Sequence, residues 1–139
     1  MIETEIKVQW GEMDSFGHVN NVHYIRYLEI GRIEYFMAIN FAPKMLRGQE
    51  AGIGPILKKI DCIYHKPVNY PATLVVTTSV TTIGNTSLIL QHEISNKKSG
   101  ETVAEGESVV VNFNYQNNST VPISKEIRLA IETLQNQKM

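Results

Sequence analysis

The chain has 139 residues, 42% hydrophobic and 19% charged, with a formal net charge of −1. One domain, residues 1–139, fits that length, and the apolar content suffices for a core while the low net charge excludes extended disorder. The near-neutral balance excludes the basic excess of a dedicated nucleic-acid binder. The lone cysteine, Cys62, excludes an intramolecular disulfide or a cysteine-based zinc cluster. No run approaches the roughly 20 apolar residues of a membrane span. The acidic start Met1–Glu5 has no apolar core of a secretory signal. The expectation is a cytoplasmic protein with no metal and no nucleic-acid or membrane partner.

Ile2 to Trp10 alternates as a strand, with Ile6, Val8 and Trp10 on one face. Gly11 to Asn21 collects turn residues. From Val22 to about Asn40 the apolar positions take helical spacing. Tyr24, Ile25, Tyr27, Leu28, Gly31, Tyr35, Phe36 and Ala38 share about half the circumference, and Ile30, Ile33 and Met37 fill much of the rest. Such a helix is expected to be buried on most sides. Asn20 or Asn21 suits its N-cap, where the side-chain oxygen accepts an otherwise orphaned N–H. Arg32 falls inside the apolar arc, three residues after Glu29, and a partly buried ion pair between them is expected.

Phe41 to Pro55 reads as a loop, with a short helix expected around Lys44–Glu50. The period then switches to two. Strands are expected over Ile56–Lys66, Thr73–Ile83, Thr86–Asn96 and Glu101–Tyr115, the last with Val103, Val109, Val111 and Phe113 on one face. A closing helix follows Ser124 and carries Ile127, Leu129–Ile131 and Leu134. Strand, long helix, four antiparallel strands and short helix make an α+β fold, an antiparallel sheet of about five strands wrapped around one long helix. Its unpaired edges invite two-fold pairing, so a homo-oligomer, dimer or tetramer, is expected.

The chemistry concentrates in Asp14-Ser15-Phe16-Gly17-His18-Val19-Asn20-Asn21. A carboxylate and an imidazole stand four residues apart in a glycine-containing loop that runs into a helix N-terminus. The unpaired N–H groups and partial positive charge of that terminus can hold a developing oxyanion. A carboxylate beside it can activate water or attack an acyl group. No cluster of His, Asp and Glu has metal-ligand spacing.

Gln9 to Asn21, followed by Tyr24, Tyr27, Glu29 and Arg32, resembles the signature of hotdog-fold thioesterases, in particular the 4-hydroxybenzoyl-CoA thioesterase-like group of acyl-CoA thioesterases. The resemblance continues through Tyr64-x-x-Pro67 and the Gly100–Val111 hairpin. It implies a hotdog fold and hydrolysis of an acyl-CoA to free acid and CoA. It also implies Asp14 as nucleophile or general base, and the helix N-terminus near Asn21 as the oxyanion site through its backbone N–H. His18 joins them as a supporting catalytic group, and Gly17, Asn20, Tyr24, Tyr64 and His65 are the expected substrate-binding residues. His18-Val19-Asn20-Asn21 is also similar to the His-Val-Asn-Asn of plant acyl-ACP thioesterases. Their network adds an asparagine where this chain has Phe16, and that departure favours a mechanism centred on Asp14. The resemblance further implies edge-to-edge dimers with the site between subunits. No cofactor is implied, since CoA is the leaving part of the substrate. Its phosphates need cations, and Lys58, Lys59, Lys66, Lys97 and Lys98 are available. A hydratase or dehydratase acting on acyl thioesters, and a non-enzymatic acyl-CoA-binding subunit, remain as alternatives at this point.

Overall fold

The computed structural model describes residues 1–49 and 52–136. Strand β1 (Ile2–Lys7) leads through a short 3-10 turn, Trp10–Glu12, to the long helix α1 (Asn21–Ala38) and the one-turn helix α2 (Pro43–Leu46). Strands β2 (Ile53–Ile60), β3 (Ile63–Tyr64), β4 (Thr73–Ile83), β5 (Ser87–Asn96), β6 (Thr102–Asn114) and β7 (Ser119–Thr120) follow, and helix α3 (Lys125–Gln135) closes the chain. The five long strands pair antiparallel in the order β1-β4-β5-β6-β2, with the two short ones added to β6. This is the expected α+β hotdog architecture. No helix among the described residues is long and apolar enough to cross a membrane.

Alternation decides which side of the sheet meets α1. Leu74, Val76, Thr78 and Val80 of β4 and Leu88, Leu90, His92 and Ile94 of β5 all point inward and are buried. Against them α1 lays Tyr24, Tyr27, Leu28, Gly31, Arg32, Tyr35 and Phe36. Each fully buried large apolar side chain contributes about 1.5–3 kcal/mol. Helix and sheet meet most closely at Gly31, where a Cβ would stand 2.7 Å from both Thr78 Oγ1 and Val76 Cγ1. The reverse side of α1 stays in solvent at Val22, Arg26, Glu29 and Glu34, so the helix is buried along one face rather than on most sides. At the far end, α3 packs Ile127, Ile131 and Leu134 onto the same core. Ser124 Oγ caps this helix from Ile127 N at 3.2 Å, and Arg128 Nη2 donates to Gly84 O at 2.7 Å.

Several boundaries differ from expectation, each for a local reason. β1 stops at Lys7 because Gln9 and Glu12 form a capping box, with Gln9 N–H donating to Glu12 Oε1 at 2.6 Å. That turn swings Trp10 off the inner face, and it is 77% exposed while Ile6 and Val8 are buried. The expected strand Ile56–Lys66 begins earlier, at Ile53, and splits into β2 and β3 at Asp61-Cys62. There Asp61 N–H donates to Glu107 O and Asp61 Oδ1 accepts from Glu107 N, both at 3.0 Å. Asp61 O rests on Gly106, where no Cβ would fit. In β6 the pairing with β5 slips between Ile94 and Ser95, so Val103 and Ala104 are both buried. Beyond the slip the phase is reversed: Ser108, Val110 and Asn112 face the core, while Val109, Val111 and Phe113 alternate with them on the outer face. The short helix expected around Lys44–Glu50 is α2, which begins at Pro43; Glu50 lies outside the described residues.

A polar chain crosses the middle of the core. Thr78 Oγ1 and His92 Nδ1 are 3.0 Å apart, His92 Nε2 and Ser108 Oγ 2.8 Å, and Arg32 Nη1 donates to Ser108 Oγ at 3.2 Å. All four residues are buried. This corrects the expected Arg32–Glu29 ion pair. Glu29 is exposed, and no carboxylate among the described residues lies within 4.0 Å of Arg32. Spacing of three does not bring the pair together, because Arg32 turns into the sheet while Glu29 turns to water.

Burial, and then the nearby Arg32 charge, lower the His92 pKa from 6.5 to about 4. The unfolded chain therefore takes up a proton at His92 below about pH 6.5, while the folded chain resists until about pH 4. Stability from this group is complete above pH 6.5 and falls as pH drops through that window, by about 3 kcal/mol at most. Urea unfolding at pH 7 and pH 4.5 is expected to show a smaller acid loss in His92→Gln than in the parent. Equal losses would remove His92 as the cause.

Candidate active site

The loop between the 3-10 turn and α1 is held by its own backbone. Asp14 N–H donates to His18 O at 2.8 Å and Gly17 N–H returns to Asp14 O at 3.1 Å. Gly17 supplies the left-handed φ of +79° that closes the turn. Asp14 Oδ1 accepts from Phe16 N at 2.9 Å and from His18 N at 3.4 Å, an Asx arrangement. No hydrogen bond from the described residues reaches Oδ2, so one carboxylate oxygen anchors the loop and the other is open. Val19 N–H donates to Val68 O at 2.8 Å, and Asn69 Nδ2 donates to Gly17 O at 3.0 Å, tying the loop to the segment before β4.

The start of α1 is settled by Asn20, whose Oδ1 accepts from Val22 N at 3.2 Å. Asn21 is then the first helical residue, and its N–H has no acceptor among the described residues. Tyr64 from β3 donates its hydroxyl to Asn21 O at 3.3 Å and stands edge-on to Tyr24, with ring centroids 5.1 Å apart. Burial, first, holds the Tyr24 phenol above its ordinary pKa. Tyr27 is pushed up in the same way and further by its bond to Glu12. Both are neutral donors, not acids, at ordinary pH. The Cys62 thiol is also raised by burial, which leaves it protonated and a poor nucleophile.

One cleft of about 440 Å³ brings together Asp14, His18, Asn21, Tyr24, Tyr64 and His65. These residues come from the loop, the helix start and β3 with its following residue, so three separate segments converge there. His18 Nδ1 is buried without a hydrogen-bond partner among the described residues. Of the basic side chains in this cleft, Lys66 pairs with Glu101, and His65 Nε2 lies 3.7 Å from Glu105 Oε1. Gly17 lines a second cleft, of about 530 Å³, which also has Asp14 in its wall. Asn20 lines neither; it acts on the helix end. Among the described residues no three His, Cys, Asp or Glu side chains gather as a metal set.

Two supporting residues escaped the sequence reading. Glu12 Oε1 accepts from Tyr27 OH at 3.0 Å and from Gln9 N, and Glu12 Oε2 lies 3.6 Å from His23 Nδ1. It bolts the loop's entry to α1, and the Gln9-x-x-Glu12 capping pattern was the available signal. Asn69 is 52 residues from the Gly17 carbonyl it holds, and no local pattern announces it.

The chain matches the family model of the Thioesterase-like superfamily over residues 8–131. It is similar to the structure of a putative thioesterase from Pseudomonas aeruginosa, with 35% identity, 93% of this chain and 96% of that one covered, and a TM-score of 0.82. It is 23% identical to the long-chain acyl-CoA thioesterase FadM of Escherichia coli (strain K12), covering 96% of this chain and 98% of that protein. A 1,4-dihydroxy-2-naphthoyl-CoA thioesterase from Synechocystis shares the fold with a TM-score of 0.84 at 15% identity, covering 97% of this chain and 98% of that one. Matched over most of its length and folded like a thioesterase to which it is 35% identical, this chain belongs to the Thioesterase-like superfamily and is a thioester hydrolase.

Proposed function

We propose that the chain hydrolyses acyl-CoA thioesters, with Asp14 as the reacting carboxylate and the Asn21 N–H as the oxyanion donor. The observation that carries this reading is the open Oδ2 of Asp14, sharing a cleft with the unpaired first N–H of α1. The thioester carbonyl sits against Asn21, where the N–H and the helix dipole take the charge that develops on oxygen. Asp14 then acts in one of two ways. As a base it takes a proton from water, whose hydroxide adds to the carbonyl and expels the CoA thiolate. As a nucleophile it forms an acyl anhydride with loss of thiolate, and water then cleaves the anhydride. Both routes end in free acid and CoA. His18 donates within the cleft, and Tyr24, Tyr64 and His65 wall the acyl group. Gly17 and Asn20 shape the loop and the helix end around the substrate rather than forming the cleft wall. A hydratase would need its histidine across the pocket from the carboxylate, whereas Asp14 and His18 sit side by side on one turn. One free cysteine with no disulfide to keep suits a cytoplasmic setting.

The reading extends to assembly. The sheet has two unequal edges. β1 alternates Glu3, Glu5 and Lys7 with its apolar residues, which protects it against pairing. β2 leaves Ile53, Ile56 and Leu57 in solvent, continued by Ile63 and Tyr64 of β3. We place the subunit contact on β2, antiparallel to its twin across a two-fold axis. Tyr64 would then stand beside the seam, and each cleft would border the partner.

Asp14→Asn is expected to keep the fold and lower kcat for thioester hydrolysis by about 10²–10⁴-fold or more. Activity within tenfold of the parent would remove Asp14 from the mechanism. His18→Ala is expected to cost about 10- to 100-fold, as a supporting group does. Glu12→Ala leaves the buried Tyr27 hydroxyl without its acceptor, so unfolding in urea is expected to show a loss of about 1–3 kcal/mol, with kcat falling less than for Asp14→Asn. For assembly, sedimentation equilibrium at micromolar concentration is expected to give a dimer or tetramer, and Leu57→Glu a lighter and less active species. A fully active monomer of the parent chain would overturn the edge-pairing scheme.

A further inference from the structure

Helix α1 carries three buried tyrosines, and two of them have an acceptor for the phenol. Tyr27 OH donates to Glu12 Oε1 at 3.0 Å, and Tyr35 OH donates to Gln135 Oε1 at 2.8 Å. Tyr24 is the third. Only 3% of it is exposed, and its hydroxyl has no hydrogen-bond partner among the described residues. Its oxygen is not sealed off. The unpartnered side-chain atoms closed to solvent among the described residues are Thr4 Oγ1, His18 Nδ1 and Asn112 Oδ1, and Tyr24 Oη is not one of them. The ring lines the cleft that holds Asp14, so the sliver of Tyr24 left open includes a phenol facing that cleft. A hydroxyl on so buried a ring is ordinarily paired, by the protein or by what binds beside it.

The groups around Tyr24 are committed elsewhere. Tyr64, edge-on with ring centroids 5.1 Å away, gives its own proton to Asn21 O at 3.3 Å. The nearby Cys62 thiol keeps its proton and is a weak acceptor. Lys66 is paired with Glu101. Apart from Val19 and Pro67, every side chain lining this cleft among the described residues carries a polar group. Behind Tyr24 the core is filled, with the buried Tyr27 ring 5.9 Å away and Leu28 fully buried. A long alkyl chain meets neither an apolar wall nor free depth there. A compact acyl group with an oxygen of its own meets a donor that has no other acceptor.

We infer that Tyr24 Oη selects the acyl group by donating a hydrogen bond to an oxygen on it, so that short 3-hydroxyacyl- or 3-oxoacyl-CoA thioesters are preferred over unsubstituted fatty acyl-CoAs. This rests on the acyl-CoA reading above and names the class of acyl group. Tyr24 follows Asn21 by three residues on α1, a rise of about 4.5 Å. With the thioester oxygen at the Asn21 N–H, the acyl oxygen read by Tyr24 stands on the second carbon beyond the carbonyl. An unsubstituted chain would cover the phenol and leave it unpaired. A site built to bond a substrate oxygen discriminates against the analogue that lacks it.

Steady-state kinetics with 3-hydroxybutyryl-, acetoacetyl-, butyryl- and palmitoyl-CoA test the assignment, and the first two tell a hydroxyl from an oxo group. The better of those two is expected to exceed butyryl-CoA in kcat/KM by about 10- to 100-fold. Tyr24→Phe keeps the ring and its packing and is expected to erase most of that ratio. Tyr64→Phe removes a hydroxyl already spent on Asn21 O and is expected to move both substrates alike. A ratio near one in the parent, a ratio that survives Tyr24→Phe, equal erasure by Tyr64→Phe, or palmitoyl-CoA as the preferred substrate overturns the assignment. Calorimetric titration of Asp14→Asn with the same esters is expected to show the same preference in Kd, and the added Tyr24→Phe to abolish it. If that preference appears but the parent hydrolyses none of the esters, the Tyr24 assignment stands and the proposed reaction fails. Hydrolysis without the preference fails the assignment alone, and binding of none of the esters overturns both.

Discussion

The close approach of α1 to the sheet at Gly31 is the constraint around which the rest of the architecture is arranged. With no Cβ there, the helix axis drops until backbone meets Thr78 and Val76, a distance that any side chain would forbid. Tyr24, Tyr27 and Leu28 on one side of that point and Tyr35 and Phe36 on the other then fill the concave sheet as two apolar clusters. Between the clusters lies the row Thr78, His92, Ser108 and Arg32, where each side chain finds a partner in its neighbour. Buried polar groups cost little only when such a chain is complete. The row therefore fixes the lateral placement of β4, β5, β6 and α1 relative to one another, because a slip of one residue would leave its members unpaired.

The position of the helix determines where its N-terminus arrives, and the proposed chemistry depends on that position. Glu12 ties the entry of the loop to Tyr27, nearly two turns along α1, and Asn69 ties its crown to the segment before β4. Asp14 is left with one oxygen spent on the loop and one free. A carboxylate anchored in this way leaves the first N–H of α1 without an acceptor among the described residues, which is the feature the proposed reaction uses. The site needs no unusual residue. It needs a turn, a cap and a helix held at a fixed height over a sheet.

Charge then sorts the surroundings. Near Tyr64, Lys66 pairs with Glu101 on the β5–β6 turn, and His65 lies beside Glu105 on β6. Near Trp10, Glu5 on β1 bonds Lys97 and also feels the charge of Lys7. The two edges of the sheet differ in composition: β1 carries Glu3, Glu5 and Lys7, and β2 exposes Ile53, Ile56 and Leu57 beside Lys58 and Lys59.

Much of this was legible in the residues. The helical spacing from Tyr24 to Phe36, the alternation from Leu74 to Ile94, the cap at Asn20 and the turn from Asp14 to His18 are local patterns, with partners a few residues away. Stereochemistry alone makes them readable, and they determined the fold class and the segment that bears the chemistry. What alternation could not reveal was its own interruption. The break at Asp61 depends on Gly106 and Glu107 of β6, the latter 46 residues distant, and the slip at Val103 lies inside the β5–β6 hairpin, where the apolar pattern does not announce it. The partner of Arg32 was misjudged for the same reason, since Glu29 is near in sequence while Ser108 is 76 residues away and faces it across the core. Tyr64 and Asn69 reach the candidate site only because the sheet curls. The sequence by itself put the candidate residues Asp14, His18 and Asn21 on one segment, through local geometry. The tertiary structure alone decided which cations stay unpaired, which aromatics stay exposed and which clefts share Asp14, because those depend on long-range packing that no spacing along the chain encodes.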